Sequence, residues 1–386
     1  MTTAAPTTSA TTRLELIDRL DEVVATVIAP NASDVDRTGD FPRAGLDALA
    51  AAGILGAASS PDVGGSGAGL ADQALIIERL AGACGSTAMI VLMHYAGTAV
   101  LEAYGPRAVR EEIAAGRHLT TLAFSERGSR SHFWAPRSTA TSAGEDVRLD
   151  AEKSWITSAG QADSYVWSSR PLTAEGQMTL WLVPSSAAGL GEPGAFDGLG
   201  LRGNASRPVS ADGVTVSRSA MLGADGAGLD VALSIALPVF LVGNAAFSVG
   251  LAQALVDEAS RHLTATRLEH LGTSLAEQPA IREEYAAILI RAAEARAFVA
   301  DTLAALAADR DDAMLRVLQV KAVAAEAAGE VADAVMRLCG GAAFRKELGV
   351  ERRFRDALAA RVMAPTTAAL RDFVGRAALG QPLMDA

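Results

Sequence analysis

The chain has 386 residues, half of them apolar and a fifth charged, which suffices for two or three domains with a sizeable core and excludes wholesale disorder. Against 45 acidic side chains stand 34 Lys and Arg, a net charge of −11 that repels phosphate, so no nucleic-acid partner is expected. Two cysteines, Cys84 and Cys339, are too few for a disulfide framework or a cysteine-rich metal site, and the expectation is an acidic, soluble, cytoplasmic globular protein.

In chain order, Met1 to Thr12 is small and polar without the basic and apolar blocks of a signal peptide, and residues 1–13 read as a disordered tail. Residues 14–117 read as a helical domain. Leu14, Ile17, Leu20, Val24 and Val27 recur at three- and four-residue spacing, Asp40-Phe41-Pro42 looks like a helix start, and Pro61–Gly69 breaks the pattern. The apolar stretch Ser86–Leu101 holds one polar residue of note, His94. From 118 to 228 the runs shorten and become rich in Thr, Val, Trp and Leu, with Gly, Pro and Ser between them, which is a strand-and-turn pattern. From 229 to 386 the chain reads as helical again, broken around Gly272–Pro279, Ala308–Asp312 and Gly340–Gly349. Helices, then strands, then helices make an α+β chain rather than a doubly wound sheet. The uncharged stretch between Asp230 and Asp257 is long enough to span a bilayer. Pro238, Gly243, Asn244, Ser248 and Gln253 interrupt it, so a helix buried inside the helical domain is expected and no membrane partner.

Several spacings invite chemistry. Gly198–Gly203 fits G-x-G-x-x-G, but loop residues precede it and an extended segment follows, so it reads as a turn between strands. The five histidines show no metal-ligand spacing. Ser125–Ser131 is a hydroxyl-rich loop after a strand, able to offer donors to an anion. Lys153–Gly160 sets the Trp155 indole beside the hydroxyls of Ser154, Thr157 and Ser158, where a flat cofactor could be covered and its polar edge bonded.

These two motifs, in this order and distance, resemble the acyl-CoA dehydrogenase family. Pro61–Gly67 is similar to its P-E-x-Y-G-G-x-G, and Leu199–Ser206 with Met221–Gly223 to its L-G-x-R-x-S-x-T and N-x-L-G. Leu338–Gly341 and Arg355–Ala357 resemble its L-G-G and R-D-A. The resemblance implies a helical N-terminal domain, a middle β-barrel domain and a C-terminal four-helix bundle, with FAD (alternatively FMN) held between subunits of a homodimer or homotetramer. It implies Phe124, Ser125, Ser131, Trp155 and Thr157 as flavin contacts, with Arg337, Gly341 and Thr366 as further cofactor residues.

The family's glutamate base sits in a Tyr-Glu-Gly-Thr segment after R-D-A, where this chain has Met363-Ala364-Pro365-Thr366. The alternative position, on the first long helix of the bundle, matches about Phe240, again no base. The family's arginine that reaches the pyrophosphate across the subunit boundary falls near Leu268, one place from Arg267, and Arg337 replaces a glutamine. His94, on a helix that by resemblance lines the acyl pocket, is the candidate acid–base group; the competing reading is a buried ring bonded to backbone. Glu126 and His132 flank the flavin loop and read as structural or solvated. The expected function is a FAD-dependent oxidoreductase acting on an acyl-CoA or acyl-carrier-protein thioester, with electron-transfer flavoprotein as redox partner. Two alternatives keep the fold: a monooxygenase using oxygen and reduced flavin from a flavin reductase, and a non-catalytic subunit of a heteromer.

Overall fold

The computed structural model describes residues 10–129 and 132–384. Its N-terminal region contains α1 (Ala10–Val23), α2 (Ala29–Thr38), α3 (Arg43–Ala51), α4 (Leu70–Ala83), α5 (Gly85–Tyr104) and α6 (Arg107–Ala114). Helix α1 reaches back to Ala10, inside the stretch expected to be a disordered tail, because Leu16 and Leu20 anchor it in the core. Leu14, expected on the buried face, points outward; the buried line runs through Leu16, Leu20 and Ile28. A π-helical turn at Val24–Ile28 joins α1 to α2 and shifts that line by inserting a residue into the turn. Pro30 accounts for the turn: it has no N–H to offer Thr26, and its ring would crowd that carbonyl in a regular helix.

Among the described residues seven strands follow: β1 (Thr120–Ala123), β2 (Thr139–Ala143), β3 (Asp146–Ile156), β4 (Ser164–Ser169), β5 (Thr179–Pro184), β6 (Leu190–Gly191) and β7 (Arg207–Ser217). They form two sheets, β1-β4-β5 and β2-β3-β7-β6; the β1/β4 pair is parallel and the other neighbouring strands are antiparallel. The expected barrel is thus two sheets sharing one core, in which Trp167, Trp181 and Tyr165 of one meet Val147, Leu149 and Val214 of the other. A bridge between Glu126 and Lys153 closes one corner.

The C-terminal region comprises α7 (Gly228–Val231), α8 (Leu237–Ala265), the short pair β8 (Arg267–Leu268) and β9 (Thr273–Ser274), α9 (Pro279–Ala307), α10 (Ala313–Cys339), α11 (Val350–Val362) and α12 (Thr367–Ala378). Helix α8 is central, packing on α9, α10 and α11 and also on α4 and α5 of the N-terminal region. Gly250 permits this: a Cβ there would collide with the Glu78 carbonyl of α4. The segment Gly228–Ala265 has the length and apolarity to cross a bilayer, yet 83% of its most apolar window is buried inside the protein. A second π turn, Ala232–Ala236, lies ahead of Pro238, again covering the carbonyl four residues before a proline, that of Ser234.

Candidate functional site

Where the three regions meet there is a cleft of about 800 Å³, the size of a small-molecule site. Its outer part is built from the two motifs singled out in the sequence. The Ser125 carbonyl accepts the Ser154 N–H (3.0 Å) and the Arg127 N–H donates to the Glu152 carbonyl (2.9 Å), so the hydroxyl-rich loop is stitched alongside the end of β3. Phe124, Ser125, Trp155 and Thr157 all line the cleft. Ser131 lies outside the described residues.

Trp155 is 72% exposed, an unusual state for an indole. The register of β3 against β7 shifts between Lys153 and Ile156, and Trp155 has φ +58°. The irregularity turns the ring out of the sheet and over the cleft, edge-on to the Phe196 ring with the two centroids 6.5 Å apart. Among the described residues five non-glycines have positive φ; Trp155, Ser158, Leu201 and Ala205 are four of them, two lining the cleft and two adjoining its walls. Backbone strain gathered in this way is characteristic of binding sites. Beside Trp155, the Thr157 hydroxyl lies 3.1 Å from that of Ser206. An exposed indole with hydroxyls and a loop at its edge fits a flavin ring and its phosphates.

A buried ion pair supports this edge. Lys153 Nζ donates to Glu126 Oε1 (2.6 Å) and to the Ser168 carbonyl (2.7 Å), while Glu126 also accepts the N–H groups of Arg137 (2.5 Å) and Ser138 (3.0 Å) and the Ser138 hydroxyl. Burial opposes ionisation of Glu126, but Lys153 beside it and these donors hold its carboxyl below the usual range. Both residues were visible in the sequence; that the two strand ends close on each other was not.

The inner cleft is apolar. Met93 of α5, Leu122 and Phe133 face Ala232, Leu237 and Phe240 of the π turn and α8, and Ala359, Met363 and Ala364 close the far wall. Among the described residues lining the cleft, Glu126 is the sole carboxylate and there is no histidine. His94 is fully buried outside these walls: its Nδ1 accepts the Thr120 N–H (3.2 Å) and its Nε2 donates to the Leu55 carbonyl (3.1 Å). Burial pulls its pKa to about 4, so the ring stays neutral with both nitrogens occupied. The geometry supports a structural pin between α5 and β1 rather than an acid–base group.

The remaining expected cofactor residues do not join this cleft. Arg337, at the end of α10, is exposed and paired with Asp333 and Glu284 (3.0 Å), and Gly341 lies on the surface nearby. Thr366 caps α12, accepting the Ala369 N–H (3.2 Å). Gly198–Gly203 is a loop between β6 and β7, as its surroundings suggested. Its tight packing explains Gly200, where a Cβ would lie 2.6 Å from the Arg355 carbonyl oxygen on α11. Among the described residues no three His, Cys, Asp or Glu side chains cluster.

A further buried cation stands behind the cleft, one that no motif marks. Lys321 of α10 is fully buried and donates to the carbonyls of Ala360 (2.8 Å), Met363 (2.9 Å) and Pro365 (2.8 Å), immediately behind the far wall. The signal for it was a single cation on the face of α10 that otherwise carries Val317, Leu318, Ala324 and Ala325 into the core.

Three family models match the chain: "Acyl-CoA dehydrogenase, N-terminal domain" over residues 11–116, "middle domain" over 121–214 and "C-terminal domain" over 226–379. The cyclohex-1-ene-1-carbonyl-CoA dehydrogenase of Geobacter metallireducens is 28% identical over 372 residues, covering 94% of this chain and 97% of that protein. The probable acyl-CoA dehydrogenase YngJ of Bacillus subtilis is 27% identical over 339 residues, covering 86% and 88%. Among solved structures, butyryl-CoA dehydrogenase from Megasphaera elsdenii superposes with a TM-score of 0.89 at 21% identity, covering 98% of this chain and 100% of that one.

Proposed function

Since the chain belongs to the acyl-CoA dehydrogenase family, we propose that it is a FAD-dependent oxidoreductase acting on an acyl thioester. The observation that carries this reading is the Trp155 edge and the Ser125 loop opening onto a continuous apolar inner cleft. FAD, when bound, supplies an acceptor for a hydride from a substrate carbon. Trp155 would cover the ring, Thr157 its polar edge, and the Ser125 loop the phosphates. The inner walls would hold an apolar acyl group and exclude water. We extend the proposal to a homodimer or homotetramer in the cytoplasm. Supporting it, Arg337 and Gly341 lie on the outer surface beside Phe344, which is 82% exposed, where a second copy's cofactor could be reached. CoA or a carrier protein would present the acyl group, and an electron-transferring flavoprotein would take the electrons.

A second reading is favoured by the missing base. Desaturation of a thioester removes the α-proton, and a positioned general base contributes about 10²–10⁴-fold to such a step. Here Ala364 and Phe240 carry no base, and Glu126 is fully engaged by its donors. A monooxygenase on the same fold, supplied with reduced flavin by a reductase and with oxygen, needs no such group; a subunit that completes a partner's site needs none either. Anaerobic titration of the FAD-loaded protein and of Ala364→Glu with an acyl-CoA series separates the readings. Bleaching of the wild-type flavin supports the dehydrogenase. Bleaching only in Ala364→Glu supports base-free chemistry in the native chain, and failure to bind flavin in any form refutes an independent flavoenzyme.

A further inference from the structure

We propose that Lys321 is a positioning residue that sets the inner wall of the cleft, acting through the Met363–Pro365 turn without touching substrate. The inference rests on the acyl-thioester reading above. Helix α11 ends at Val362, so the carbonyls of its last turn and of the residues beyond have no partners within the helix. Three of the carbonyls there, those of Ala360, Met363 and Pro365, converge on one ammonium. A cation there also suits the negative end of the α11 dipole. Among the described residues no carboxylate pairs with Lys321, so its charge is offset chiefly by those carbonyls. A charge is costly to bury, and removing this one would leave three carbonyls without their donor; its presence is explained by what it holds in place.

What it holds is the far wall. Met363, Ala364 and Pro365 line the cleft, and the bonds to Met363 and Pro365 bracket Ala364 from both sides. The ammonium also lies 5.9 Å from the centroid of the Phe240 ring, which forms the adjoining wall on α8. From α8, Asn244 Nδ2 reaches Met363 Sδ (3.8 Å), so the same turn is gripped by side chain and backbone. The depth and shape of the acyl end are thereby tied to a residue behind it.

The test uses full-length protein loaded with FAD. Butyryl-, octanoyl- and dodecanoyl-CoA are titrated against flavin absorbance in wild type, Lys321→Met and Pro365→Gly. The first variant removes the donors at similar side-chain length, and the second frees the turn and leaves the lysine in place. Hydrogen exchange over residues 359–366 and 153–160 is followed in parallel. Expected in both variants is an acyl-CoA Kd raised about tenfold or more for the tightest chain, since an ångström of misplacement is costly in a close-fitting site. The Kd for FAD should stay within about threefold, with faster exchange confined to 359–366. Acyl-CoA affinities unchanged in Lys321→Met overturn the proposal, even if exchange quickens. Should that variant not fold, unchanged affinities in Pro365→Gly overturn it equally. A wild-type protein that takes FAD but gives no spectral response to any acyl-CoA refutes the functional reading instead, and the inference falls with it.

Discussion

His94 had two readings from its surroundings in an apolar helix, and its hydrogen bonds separate them. With Nδ1 accepting from Thr120 and Nε2 donating to Leu55, the neutral ring is the form the fold holds. The unfolded chain takes up a proton near pH 6.5, whereas the folded one refuses it until about pH 4. Between those values the unfolded state binds more protons, so this residue's contribution to stability falls as the pH drops through that window. In His94→Gln the slope of Tm against pH over that window should flatten, with FAD binding retained; thermal denaturation at a series of pH values checks it. A single sequence could show that a histidine stands among apolar neighbours, but not whether Met93 or His94 faces the cleft. Helix rotation decides that, and the packing of α5 on β1 sets it.

Helices and strands supply the precision of the outer site. The end of β3 carries both the exposed Trp155 and the buried Lys153, and the shifted register between them sends the two side chains to opposite environments. Removing one partner of the Lys153–Glu126 pair leaves the other charge buried and uncompensated. Glu126→Gln should therefore lower unfolding free energy by about 3–5 kcal/mol in urea titrations, and adding Lys153→Met to it should recover the part due to the uncompensated charge, the amide still accepting from Arg137 and Ser138. The hydroxyls and indole of this edge were legible because their residue types mark strand ends and flat-ring contacts. The ion pair was not, since Glu126 and Lys153 become neighbours only through the corner where two sheets meet. The π turns were hidden for a different reason: Pro30 and Pro238 announce a break, and only packing shows that the helices run on through it.

Across the whole molecule, the order of helices, strands and helices was plain in the change from apolar residues at helical spacing to short Thr- and Val-rich runs. How the three parts join was not. Arg355 of α11 pairs with Asp36 of α2 (2.5 Å) and donates to the Leu199 carbonyl of the β6–β7 loop (2.9 Å), and Asp356 next to it accepts the Leu201 N–H (2.6 Å). One short stretch of α11 thus links all three regions at the cleft. Arg355→Met should cost about 1.5–3 kcal/mol, the worth of a charge-assisted hydrogen bond, and make the 196–206 loop an early target in limited proteolysis. A variant as resistant as wild type would show that the regions are held together elsewhere.

The central helix has a consequence for how the protein is made. From Val231 to Val256 it carries no charge, and much of its covering comes from α10, which is synthesised later. At roughly 5–20 residues per second a ribosome takes several seconds more to deliver α10, and until then only α4 and α5, made earlier, are there to cover the segment. A stretch apolar enough for lipid thus finds half of its cover waiting and the other half still to come.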